Sequence, residues 1–143
     1  MPYRFLDEVP TADVGFAACG ATLDECFQAA ADAALEVMIA NAAALQLHER
    51  RSVHAEDNTL DMVLLKFLEE LIYYKDAEGL FLRATSVAVR QHEGRWTVDA
   101  ILEGEAIDPR RHELSGDVKA VTLHRLQVRR TEAGWEATVV LDV

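Results

Sequence analysis

The chain has 143 residues, half of them hydrophobic, and a formal net charge of −11. That length supports one domain with a real core, and the composition is that of an ordinary soluble globular protein. The charge argues against a general RNA or DNA binder and favours a basic protein partner or cations, although acidity alone also serves solubility.

The start, Met1-Pro2-Tyr3-Arg4-Phe5, lacks the apolar stretch of a signal peptide. No apolar run reaches the ~18 residues of a membrane span. Both features make a cytoplasmic protein without membrane contact the expectation. Tyr3 to Leu6 reads as a first short strand, and Asp7 to Pro10 as a turn, with Pro10 forcing Val9 towards extended geometry. A second strand follows and ends at Gly20. In it Ala12, Val14, Phe16 and Ala18 alternate with Asp13, Gly15 and Ala17, the pattern of a half-buried strand. Thr22 opens a helix, with Glu25 three residues on as the other half of a capping box. Leu23, Phe27, Ala30, Ala34 and Met38 form its apolar stripe, and its many alanines permit close packing on a sheet. Cys19 and Cys26 do not have the spacing of a redox or zinc pair, and both read as buried thiols. The five histidines show no HxxxH or HExxH spacing, which argues against a zinc enzyme.

Leu45 to Ala55 reads as a strand or an extended connector, with His48-Glu49-Arg50-Arg51 solvated. A second helix begins near Asp57 or Asn58. Leu60, Leu64, Phe67 and Leu71 mark its apolar face, and Gly79 ends it. Leu80 to Arg90 is a strand with Thr85, Val87 and Val89 on one face, closed by a hairpin turn at Gln91-His92-Glu93-Gly94. Trp96, Val98, Ala100 and Leu102 alternate along the next strand. Gly104 to Asp117 reads as a polar loop in which Glu103 to His112 mixes carboxylates with cations; it could dock a partner or complete an anion site, with a solvated loop as the plainer reading. Val118 to Arg130 reads as one strand, bulged near His124-Arg125. Ala133-Gly134 turns the chain into a last strand whose inner face is Trp135, Ala137, Val139 and Leu141. The sum is an α+β protein: two principal helices on a mainly antiparallel sheet of about seven strands, one domain over 1–143, with 48–102 readable as an inserted module.

No glycine-rich phosphate loop, serine elbow or catalytic cysteine arrangement is present, so the residues do not announce an enzyme. If the strands bearing Asp13 and Asp142 lie side by side, those two carboxylates and the α-carboxylate of Val143 converge. Such a cluster raises its own pKa values unless a cation sits within it, and oxygen donors suit calcium, magnesium or manganese. The plainer reading is two unrelated solvated acids. Lys119 reads either as a cleft cation for a phosphate or carboxylate, or as a lysine at a strand's start reaching water. His124 reads as a ligand, an acid/base or, more simply, a hydrogen-bonded structural residue.

Together these stretches resemble the archease family. The likeness rests on Thr11-Ala12-Asp13-Val14-Gly15 with Gly20, Thr22-Leu23 and Phe27. It continues through Leu64-Leu65-Lys66-Phe67-Leu68-Glu69-Glu70-Leu71, Gly104-Glu105, Val118-Lys119-Ala120-Val121-Thr122-Leu123-His124 and Leu141-Asp142-Val143. The resemblance implies a strand–helix–strand–strand core with an inserted small module. It implies a non-catalytic protein cofactor that activates an RtcB-type RNA ligase, promoting its GTP-dependent guanylylation and turnover in tRNA splicing or RNA repair. By the same likeness Asp13, Asp142 and Val143 are expected metal ligands, calcium first and manganese or magnesium next, while Lys119 and His124 form a functional basic or partner site. Direct nucleic-acid binding is not expected. The family commonly has histidine where this chain has Pro10. The alternative is a metal-independent, chaperone-like module for an RNA- or DNA-modifying enzyme.

Overall fold

A computed structural model describes residues 2–7, 9 and 13–143. Pro10, Thr11 and Ala12, on which part of the sequence argument rests, lie outside the described residues. Two antiparallel sheets share two helices. The first sheet holds β1 (Tyr3–Leu6), β2 (Asp13–Gly20) and β8 (Gly134–Asp142) side by side. The free edge of β8 is covered by two short strands, β6 (Ala120–Val121) and β7 (Gln127–Thr131). The second sheet has the order β3-β5-β4, from β3 (Glu49–Asp57), β4 (Leu80–His92) and β5 (Arg95–Ala106). The expected α+β architecture is present, with its strands divided between two sheets.

The first helix, α1 (Leu23–Met38), is capped by Thr22, whose hydroxyl accepts from the Glu25 N–H at 3.2 Å. The Glu25 carboxylate turns back to Ala21 N–H at 3.1 Å rather than to Thr22, which spreads the cap over one more residue. Its alanines 29, 30, 31, 33 and 34 are all buried, so the helix lies close against both sheets. The second helix, α2 (Leu60–Glu78), starts after Thr59, whose hydroxyl accepts from Met62 N–H. It stops at Gly79, which has the left-handed φ of 64° that closes a helix cheaply only without a Cβ. Phe27 of α1 stacks on Phe67 of α2 with centroids 6.0 Å apart. Both rings are fully buried with Phe16, Leu64, Leu102, Val139 and Leu141. Burying each such side chain contributes about 1.5–3 kcal/mol. No helix among the described residues is long and apolar enough to cross a membrane.

Two first-turn acids tie the helices to strands. Asp24 accepts from Val89 N–H at 2.7 Å, and Asp61 accepts from Val128 N–H at 2.8 Å.

Several local expectations change. The stretch expected as one strand over Val118 to Arg130 is broken at Leu123–Arg125 by a turn, with Arg125 at φ 57°, so Leu123 is 69 % exposed instead of facing the core with Val121. A bulge lies instead in β4. Ala84 pairs Leu102 and Ser86 pairs Ile101, leaving Thr85 unpaired and exposed while Val87 and Val89 pack on the core. Cys26 is buried but Cys19, on the opposite face of β2, is exposed. Leu45 to Ala55 resolves into connector, then strand from Glu49. The charged loop begins later than expected, because Gly104, Glu105 and Ala106 still belong to β5.

Candidate metal centre

Strand register decides which side chains meet. In β2 and β8, Val14 pairs Leu141, Phe16 pairs Val139 and Ala18 pairs Ala137, which sends these pairs to the α1 side. The opposite parity carries Asp13 opposite Asp142, at the end of the sheet. Directly paired residues of an antiparallel ladder have Cβ atoms about 4.5–5.5 Å apart on one face. The two carboxylates are therefore neighbours, half-buried at a sheet end. Among the described residues neither enters an ion pair, and no group of three or more His, Cys, Asp or Glu side chains could hold a metal. The described side chains thus supply two carboxylates, whose hard oxygens fit a calcium- or manganese-type ion in chemistry and fall short of a full set in number.

The outer face beneath the acids is not open. Gly15 lies under Leu6 and Val9, and an added Cβ would stand 2.8 Å from Val9 Cγ1. Val140, next to Gly15 across the ladder, is fully buried. On the other side of β8, Ala120 pairs Asp142, and Lys119 N–H donates to the Asp142 carbonyl at 2.8 Å. The Lys119 backbone is thus fixed beside Asp142. Its side chain shares parity with Val121 rather than with the acids, and it is exposed. Ahead of it, Lys75 of α2 reaches Asp117 at 2.8 Å and Asp76 at 2.6 Å and holds the approach to β6 on the helix. Asp117 is held below the usual carboxylate range, chiefly by the Lys75 hydrogen bond.

Thr122 anchors the next step. Its N–H and its hydroxyl both donate to the Val140 carbonyl, at 3.0 and 2.9 Å. His124 follows in the exposed turn, with its N–H donating to Thr122 Oγ1 at 3.2 Å. The turn leaves the ladder between Thr122 and Gln127, which pairs Thr138. His124 therefore lies farther along the β8 edge than Asp142. Val143 is half-buried and packs on the core. Asp13, Asp142 and the Lys119 backbone come together; the Lys119 side chain and His124 leave in other directions along the same rim.

A second constellation escaped the sequence reading. Glu105 is only 4 % exposed and His112 only 5 %. Glu105 takes two donors from the Arg111 guanidinium, and its Oε2 accepts from Gln46 N–H at 2.6 Å. These bonds, Arg111 first, hold its carboxyl down at about 2. His112 Nδ1 accepts from Asp108 N–H at 2.8 Å, which places the ring proton on Nε2, facing Glu105 Oε2 at 3.5 Å. The loop folds onto the strand end and makes a charged clasp there. Alternation along β5 gives no hint of it, because Glu105 sits on the face opposite to Leu102 and is covered by the returning loop and by the connector at Gln46.

Residues 3–143 match the model of the archease protein family (MTH1598/TM1083). The archease of Pyrococcus furiosus is 35 % identical over 134 residues, covering 93 % of this chain and 94 % of that protein. The Methanopyrus kandleri archease is 30 % identical over the full length of both chains. The solution structure of Methanobacterium thermoautotrophicum protein 1598 superposes with a TM-score of 0.85 at 31 % identity, covering 99 % of each chain. The crystal structure of a Thermotoga maritima archease, described as a possible chaperone, gives a TM-score of 0.62 at 17 % identity, covering 94 % and 93 %, and bears on the fold alone.

Proposed function

The chain belongs to the archease family, and on that premise we propose that it is a protein cofactor, not itself a catalyst, that docks on an RtcB-type RNA ligase and promotes its GTP-dependent guanylylation and turnover in tRNA splicing or RNA repair. The observation that carries this reading is the direct pairing of Asp13 with Asp142 at the sheet end. Like charges directly opposite in a ladder destabilise it. A fold gains nothing from that pair alone, whereas a binding function does.

In this reading Asp13 and Asp142, with Val143 beside them, hold a divalent cation, calcium first. Its remaining positions fall to water, backbone carbonyls or the partner. When bound, the cation would offset the charge of the two acids and offer its open coordination positions to donor groups of the ligase. The residues around it do the positioning. The Lys119 N–H and the Thr122 hydroxyl and N–H clamp the β8 edge, and Lys75 fixes the segment leading to Lys119. The acidic surface complements a basic active-site mouth and steers the encounter.

Labelling purified ligase with radioactive GTP tests the proposal. The wild-type chain should raise covalent guanylate on the ligase and allow multiple turnovers. Asp13→Asn and Asp142→Asn should fold and stimulate weakly or not at all. Full stimulation by both variants would reject the mechanism. One observation favours a metal-independent, chaperone-like reading: the described side chains offer only two carboxylates. Stimulation that persists undiminished in excess chelator would select that reading.

A further inference from the structure

A cavity of about 400 Å³ opens on the α1 side of the molecule, bounded by α1, β1, β4 and the short turn Ala42–Ala44. It is lined by Tyr3, Gln28, Asp32, Glu36 and Arg83, with apolar wall from Leu35 and nearby alanines. The polar groups are unequally free. Arg83 Nη2 donates to the Ala42 carbonyl and Gln28 Nε2 donates to the Ala84 carbonyl at 3.2 Å. One N–H of each of these two side chains is thus taken by a main-chain acceptor. Glu36 is different: its Oε2 is shut off from solvent and has no hydrogen-bond partner among the described residues. A buried carboxylate oxygen left without a donor costs free energy, and such an atom in a cavity wall marks a missing donor.

Formal charge gives the same answer. Asp32, Glu36 and Arg83 sum to one negative charge. Two carboxylates and the Gln28 amide oxygen supply the acceptors of this wall, facing the remaining N–H groups of Arg83 and Gln28 and the Tyr3 hydroxyl. We propose that this cavity binds one small aliphatic monocation, an alkylammonium or alkylguanidinium, whose head donates to Glu36 and Asp32 and whose stem lies on Leu35 and the alanine wall. A donor-only head group satisfies the orphan oxygen and balances the charge, which neither a neutral amide nor an anion does. Burial raises the Asp32 carboxyl, with Arg83 opposing, and drives the Tyr3 hydroxyl up to about 12, to which a hydrogen bond with the Glu36 carboxylate adds, so it is Oε2 alone that lacks a donor. The site is separate from the Asp13–Asp142 pair, and its test does not depend on the ligase.

Calorimetric titration of the full chain with n-butylguanidine and n-butylamine tests the proposal, with n-butanol as the neutral control. A ligand this small in such a site should bind with Kd on the order of 1 mM or tighter, at a stoichiometry near one. Glu36→Gln should weaken binding at least ~10-fold, the loss of one charge-assisted hydrogen bond. The variant should keep or raise the thermal midpoint, since it removes a half-buried charge whose Oε2 has no donor. Asp32→Asn should weaken binding as well. The proposal is overturned by absence of binding far above the millimolar range, by butanol binding as well as the cations, by affinity unchanged in both variants, or by calcium displacing the organic cation at this cavity.

Discussion

Replacing one acid of the Asp13–Asp142 pair should invert the stability ranking of wild type and variant according to whether metal is present. The pair sits at one ladder position, with Cβ atoms about 5 Å apart. Two unit charges at that distance repel by about 0.8 kcal/mol in water, inside the range of roughly 0.2–1 kcal/mol for directly opposed like charges. In chelator, Asp142→Asn should therefore be the more stable protein. For 143 residues the unfolding entropy is about 0.3 kcal/mol/K, so the gain is about 1–3 °C. Calcium at a hundred times its Kd adds about 2.7 kcal/mol to the wild type, or about 9 °C by the same conversion. It should add little to the variant, which has lost a charged ligand. Scanning calorimetry in chelator and in saturating calcium reads both numbers, and Asp13→Asn should repeat them. A variant less stable than wild type in chelator, or a calcium shift of equal size in both proteins, would refute the reasoning that the pair is kept for a cation.

Gly104 carries a different kind of constraint: an added Cβ would lie 1.8 Å from the Phe81 carbonyl oxygen, and the obstacle is backbone. Gly104→Ala should lose about 3 kcal/mol or more, as overpacking against a fixed wall does, or fail to accumulate in folded form. A urea midpoint within error of wild type would contradict this. The Glu105 carboxyl is held at about 2, well below the ~4.3 of an unfolded glutamate. A depressed folded pKa gives stability that is complete above the unfolded value and lost as pH falls from about 4.5 towards 2. Discounted for the half-exposed Arg111, the loss should be about 1–2 kcal/mol. Glu105→Gln should show a flatter stability profile across that window alone, and a parallel profile would remove the clasp from the account. Thr22→Ala deletes the acceptor for Glu25 N–H and should cost about 0.5–2 kcal/mol by urea unfolding. An unchanged midpoint would mean that the Glu25–Ala21 bond caps α1 by itself.

Much of the fold was legible because periodicity and turn chemistry agreed. The 3.6-residue stripe from Leu60 to Leu71, the left-handed Gly79 and the alternation from Trp96 to Leu102 each point to one answer, and each element forms, α2 starting at Leu60 after the Thr59 cap rather than near Asp57 or Asn58, because Asp57 still belongs to β3. The carboxylate pair was legible for a narrower reason. Asp13 and Asp142 lie at matching parity outside strands whose inner faces are apolar, so pairing those strands in register brings the acids together. What the pattern hid depends on chain that folds back. The break at Leu123–Arg125 needs a left-handed residue that is not glycine, which alternation does not signal. The Glu105–Arg111–His112 clasp and the enclosed Glu36 oxygen are set by tertiary cover over residues that look solvent-facing in one dimension. The same cover explains Val140, buried on the outer face under no helix at all.

Manganese titration followed by amide NMR tests the shared-cation claim most directly, because a paramagnetic ion broadens only its neighbours. One equivalent should erase the amide signals around Asp13, around Lys119 and Ala120, and from Leu141 to Val143, with calcium restoring them and Asp142→Asn abolishing the effect. Broadening centred elsewhere, or spread evenly over the acidic surface, would contradict a cation held between these two strands.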